Sequence, residues 1–83
     1  MSKGLGRTQR HILAELQRVG WISAYELAGL AGVTKPHQTP DDKNRLLSTR
    51  NAIRKLARDG LVETELRRMP SGQRQLHARL LPR

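Results

Sequence analysis

At Gly60 the spacing of apolar residues changes from a helical period to a period of two, and that switch narrows the folds open to this chain. Upstream, Leu46, Ile53, Leu56 and Ala57 recur at helical spacing. Downstream, Val62, Thr64 and Leu66 alternate with Glu63, Glu65 and Arg67; Leu76, Ala78 and Leu80 then alternate with His77 and Arg79. Pro70-Ser71-Gly72 between the two runs is a turn signal. The spacing therefore predicts a β-hairpin with its tip near residues 69–73.

Two further helices are predicted before that switch. Thr8 is placed to cap the first, and Ile12, Leu13, Leu16 and Val19 share one apolar face. Gly20 stands where a left-handed stop is wanted, giving a helix over Thr8–Val19. Trp21 and Ile22 make a short apolar step. Ser23 and Glu26, three apart, have the spacing of a capping box, and Leu27, Ala28, Leu30 and Ala31 supply the buried face of a second helix stopped by Gly32. Residues 34–40 hold two prolines and read as a loop. Thr39 can cap the third helix, Pro40 suits its first position, and Asp41 and Asp42 lie at the positive end of its dipole. That helix is predicted from Asp41 to Asp59. Residues 1–6 read as a flexible tail and residues 7–82 as one α+β, mainly α domain, three helices around one core closed on one side by a small sheet.

Charge bears on function. Sixteen Lys and Arg stand against seven Asp and Glu, a formal net charge of +9, which points to a polyanionic partner such as nucleic acid. With no cysteine there is no disulfide, thiol nucleophile or Cys-based zinc site. No apolar run reaches the ~18–20 residues of a membrane span, and the basic start is not followed by an apolar block, so a cytoplasmic, nucleoid-associated protein is expected. His11, His37 and His77 lack metal-ligand spacing, the carboxylates are dispersed, and no Gly-rich phosphate loop occurs. No catalytic residue, metal ligand or cofactor site is assigned, and an enzyme is not expected. Trp21 and Tyr25 are the only aromatics; they are expected in the core and are too few for a single-strand stacking platform.

The third helix is the most informative segment. Leu46, Thr49, Ile53, Leu56 and Ala57 fall on one face; Asn44, Ser48, Asn51, Lys55 and Arg58 fall on the other, flanked by Lys43, Arg50 and Arg54. Six basic residues and no acidic one lie between Lys43 and Arg58. A solvated helix usually mixes signs, because opposite charges four apart stabilise it by ~0.2–0.5 kcal/mol per pair. A polyanion on the outer face accounts for the bias better than helix stability does. Asn can bond adenine bidentately, Arg can bond guanine, and Ser can meet either base edge. The hairpin repeats the bias: from Arg67 to Arg83 there are five arginines and no acid, with Arg67, Arg68 and Arg74 around the turn.

Two stretches resemble the winged helix-turn-helix family of bacterial and archaeal DNA-binding regulators. Ser23-Ala24-Tyr25-Glu26-Leu27-Ala28 through Ala31-Gly32-Val33 is similar to the first helix of the motif. Ser48 through Asp59-Gly60-Leu61-Val62 is similar to the recognition helix, its glycine stop and the first wing strand. The likeness spans about residues 8–81. It implies a three-helix winged helix-turn-helix whose third helix enters the major groove of double-stranded DNA and whose C-terminal hairpin is the wing. Ser48, Arg50, Asn51, Arg54 and Lys55 would face DNA, and Thr49, Ile53 and Leu56 would pack inward; Arg54, Lys55 and the wing arginines Arg67, Arg68 and Arg74 would fix register on phosphates, and Arg58 belongs to the same DNA-binding set. A small transcriptional regulator is the implied role, and a homodimer on DNA is compatible with it. One departure stands out: residues 34–39 make a longer, proline-bearing connection than the family's usual turn. Either the third helix carries an extra N-terminal turn or Asp41–Leu47 is a separate helical piece; Lys35 and His37 are then loop candidates for a phosphate contact. The rival reading is a protein-interaction winged helix, which needs an exposed apolar patch; Leu5 and Leu47 are the isolated candidates. A replication, phage or plasmid accessory protein would need the same DNA-binding physics.

Overall fold

A computed structural model describes residues 6–31, 33, 37–70 and 72–82. The elements run α1 (Arg7–Arg18), β1 (Ile22–Ser23), α2 (Ala24–Leu27), α3 (Pro40–Arg58), β2 (Val62–Arg68) and β3 (Arg74–Leu80). This is a small α+β fold with three helices and one antiparallel sheet of order β1-β3-β2. Val62 pairs with Leu80 and Arg68 with Arg74 across the hairpin; Ile22 and Ser23 pair with Ala78 and His77 on the other side of β3. Among the described residues no helix is long and apolar enough to cross a membrane.

The helix ends follow local chemistry, not always the predicted kind. Gly6, not Thr8, is the N-cap of α1, and the Gln9 side chain reaches back to accept from the Gly6 N–H at 2.8 Å. A glutamine three positions in can satisfy that orphan donor, which moves the start upstream. The far end also differs. Val19 is extended (φ −135°, ψ 165°), so the chain leaves α1 straight toward β1 and Gly20 takes no left-handed turn. The α2 helix is shorter than the apolar pattern implied. Ser23 Oγ accepts from the Glu26 N–H at 3.1 Å. One turn later Gly29, at φ 77°, closes it: the Leu30 N–H bonds Tyr25 O at 2.8 Å and the Gly29 N–H bonds Glu26 O at 3.0 Å. That pair of bonds is a Schellman cap. Leu30 is still buried, but as a loop residue, and Ala31 is exposed. Gly32, Lys35, Ser71 and the tail residues 1–5 lie outside the described residues.

α3 begins as the sequence indicates. Thr39 Oγ1 accepts from the Asp42 N–H and Asp42 Oδ2 accepts from the Thr39 N–H, both at 3.1 Å, with Pro40 opening the helix. The helix then runs unbroken for 19 residues, so the extra length is additional N-terminal helix and not a separate piece. It ends in a second Schellman cap at Gly60 (φ 78°), where the Leu61 N–H bonds Leu56 O at 3.0 Å.

One core serves all elements: Ile12 and Leu16 from α1, Leu27 from α2, Leu46, Ile53 and Leu56 from α3, and Val62 and Ala78 from the sheet. Thr49 is buried beside them, as its position on the inner face of α3 requires. Tyr25 packs on the rim of this cluster. Trp21 does not join it. It lies half-buried against the outer sheet face, with the guanidinium groups of Arg67 and Arg79 at 4.7 and 4.9 Å from its ring centre. The hairpin is longer than the helices that cover it. Val62 is buried, whereas Thr64 and Leu66 on the same face are exposed, Leu66 at 63%. His77 is buried on the outer face, paired with Ser23 and Glu65, its Nδ1 3.0 Å from Gln75 O.

Candidate nucleic-acid interface

The face of α3 that turns away from the core carries Ser48, Asn51, Arg54, Lys55 and Arg58, all exposed, together with Lys43 and Asn44. The cause is periodicity: once Leu46, Thr49, Ile53 and Leu56 are buried, residues roughly 180° round the helix must face solvent. Arg50 lies at the edge of that stripe. It is half-buried, and its guanidinium sits 6.0 Å from the Tyr25 ring centre, at the long limit of a cation–π contact. Arg45 turns the other way, with Nη1 3.4 Å from Ala28 O at the end of α2.

α3 and the hairpin tip meet at a cleft of about 650 Å³. Lys43, Leu46, Leu47 and Arg50 form its helix wall, Gln73 and Arg74 its hairpin wall, and Tyr25 and Gln38 its end. Gln38 Nε2 donates to the Tyr25 hydroxyl at 3.4 Å. Three cations from two elements thus line one concave surface.

The predicted hairpin contacts divide. Arg68 and Arg74 are directly opposite each other, exposed, at the last paired position before the turn. Like charges directly opposed across a ladder destabilise a hairpin. Among the described residues no carboxylate pairs with either. Arg67 is engaged elsewhere. Its Nε bonds Glu65 Oε2 at 2.8 Å, its guanidinium lies over Trp21, and it points to the outer face of the sheet. Arg79 is likewise paired with Glu63 on that face. The third ion pair among the described residues, Arg18–Glu15, lies on α1. None of the three involves a cation of α3.

So Ser48, Asn51, Arg54, Lys55 and Arg58 share the exposed face of α3, Arg50 and Arg74 meet across the cleft, and Arg68 stands beside Arg74. Arg67 is set apart. Sequence reading had not singled out Gln38, Leu47 or Gln73 as part of this surface; the cleft depends on how the hairpin tip folds toward α3, a tertiary distance that no local pattern encodes. His37 is exposed in the loop before α3. Among the described residues no group of three or more His, Cys, Asp or Glu side chains is arranged to hold a metal ion. No family model, no curated protein and no solved structure matches the chain.

Proposed function

We propose that the chain is a winged helix domain that binds double-stranded DNA, a small site-occupying transcriptional regulator and not an enzyme. α3 enters the major groove, where Ser48 and Asn51 reach base edges. Arg54, Lys55 and Arg58 meet phosphates beside it. The β2–β3 hairpin is the wing, and Arg68 and Arg74 at its tip meet the backbone or the adjacent minor groove. Arg67 belongs to the fold of the hairpin more than to the DNA.

The observation that carries this reading is the unneutralised charge on neighbouring elements. α3 spends no cation on an internal carboxylate among the described residues, and the hairpin holds two arginines face to face beside it. Isolated, both arrangements cost stability; against a polyanion both are favourable. The protein-docking alternative would need a continuous apolar surface. Among the described residues the exposed large hydrophobic side chains are Val19, Leu47, Leu66 and Leu81, one each from the end of α1, α3, β2 and the segment after β3; Leu5 lies outside the described residues.

The test is the salt dependence of duplex binding. If ~5–8 phosphates are neutralised, log affinity falls against log salt with a slope of about −4 to −7. A flat response removes the electrostatic footprint and with it the proposal.

A further inference from the structure

Among the described residues β2 is an edge strand, with β3 on one side only. The Met69 N–H bonds Gln73 O and the Leu81 N–H bonds Leu61 O, which fixes the odd-numbered residues of β2 as those bonded to β3. The backbone N–H and C=O groups of Thr64, Leu66 and Arg68 therefore face outward. Leu66 adds a 63%-exposed apolar side chain in the middle of that edge.

We propose that β2 pairs antiparallel with β2 of a second copy of this chain, about a two-fold axis at Leu66. A two-fold normal to the sheet keeps each side chain on its own face, so only registers centred on a residue are allowed. Charge then selects among them. Centring on Glu63 or Glu65 opposes that glutamate to itself, and centring on Thr64 opposes Glu63 to Glu65. Centring on Arg67 or Arg68 opposes that arginine to itself. Centring on Leu66 sets Leu66 against Leu66, Glu65 against Arg67 of the other copy, and Thr64 against Arg68. It is the one register centred within 63–68 that has no like charges directly opposed, and it joins the outward backbone groups as three hydrogen-bonded residue pairs. Charged edges usually guard a strand against indiscriminate pairing; here the charges disfavour every self-pairing register centred within 63–68 except the one at Leu66. The resulting six-stranded sheet places both α3 helices on the same side. This inference goes beyond the DNA-binding reading and does not depend on it.

The chain has no cysteine, so a single introduced one reports the register. In a hydrogen-bonded antiparallel pair, Cα and Cβ atoms of opposed residues both lie ~5.5 Å apart, wider than the ~3.5–4.5 Å between Cβ atoms of a disulfide but within reach of a short bis-thiosulfonate linker. Leu66→Cys should therefore be joined into a dimer by such a linker, at high salt to screen the +9 charge of each copy. Thr64→Cys should not, because residues 64 of the two copies stand ~14 Å apart along the strands. In the chain without cysteine, Glu65→Arg and Arg67→Glu should each lower the dimer fraction in sedimentation, and the double exchange should restore it. Cross-linking at both positions or at neither overturns the proposal, as does a double exchange no better than the singles. Duplex binding is read separately: a chain that binds duplex but does not cross-link at residue 66 rejects the dimer and leaves the DNA reading standing. A chain that cross-links at residue 66 without binding duplex does the reverse.

Discussion

Under the proposed DNA reading, Asn51 is the side chain whose replacement separates reading from holding. It is exposed at the centre of the polar face of α3 and is neutral, so it adds nothing to the electrostatic attraction that every duplex offers. A bidentate contact to one base discriminates by ~1–3 kcal/mol. With a preferred site obtained by selection from random duplexes, Asn51→Ala should lower affinity for that site by this amount and leave affinity for random duplex nearly unchanged. Arg74→Gln should do the opposite. Arg74 lies at the hairpin tip, and its loss should weaken all duplexes alike and make the salt slope less negative by about 1. Competition binding at several salt concentrations measures both. An equal loss on all sequences for Asn51→Ala would remove it from the readers. The same scale explains why Trp21 was misjudged from sequence. An aromatic in a short apolar step reads as core, but the alternation of the sheet turns Trp21 outward, onto the side where Arg67 and Arg79 stack on it. Only the pairing partner of β1 decides that face.

At the scale of elements, the ends of helices carry the most decisive local chemistry. Gly60 holds φ 78° in the cap that turns α3 into β2, with nothing within 4 Å of the place a Cβ would occupy. Gly60→Ala therefore acts through the backbone alone. A left-handed conformation costs an L-residue roughly 1–2 kcal/mol, so the urea midpoint should fall accordingly. Gly20→Ala should not lower it. That site also has open space and no left-handed φ, so the loss of unfolded-state freedom leaves stability unchanged or raised by up to ~1 kcal/mol. A stability loss at Gly20 as large as at Gly60 would refute the contrast. The two glycines look alike in sequence, each following a helical pattern. The difference arises because β1 must reach β3 directly, whereas β2 must fold back over α3. The start of α3 was legible because Thr39, Pro40, Asp41 and Asp42 all act within one turn. The early end of α2 was not, because Leu27, Ala28 and Leu30 are buried whether or not the chain between them is helical. Likewise the apolar face of α3 could be read directly from its spacing, while the cleft between Arg50 and Arg74 needed the tertiary fold.

At the scale of the whole molecule, the same charge should act with opposite signs on folding and on binding. Sixteen cations against seven carboxylates repel one another in the folded state, and the three ion pairs among the described residues are all at the surface, where such pairs contribute little. Screening thus removes more repulsion than attraction. Raising salt from low to physiological levels should raise the melting temperature of the free chain, while the same change weakens its hold on duplex DNA. The core makes this measurable. Among the described residues five of the twelve buried hydrophobic side chains are alanine or valine, and a domain of this size has a total stability of roughly 5–10 kcal/mol, so a shift of 1 kcal/mol moves Tm by ~4–8 °C. The melt belongs at chain concentrations where the protein is monomeric, so that pairing of β2 adds nothing. A Tm that falls with added salt would mean that the internal ion pairs outweigh the repulsion. The arginines of α3 and the hairpin tip would then not be held at a cost to the free fold, and the strongest physical reason for placing a polyanion against them would be lost.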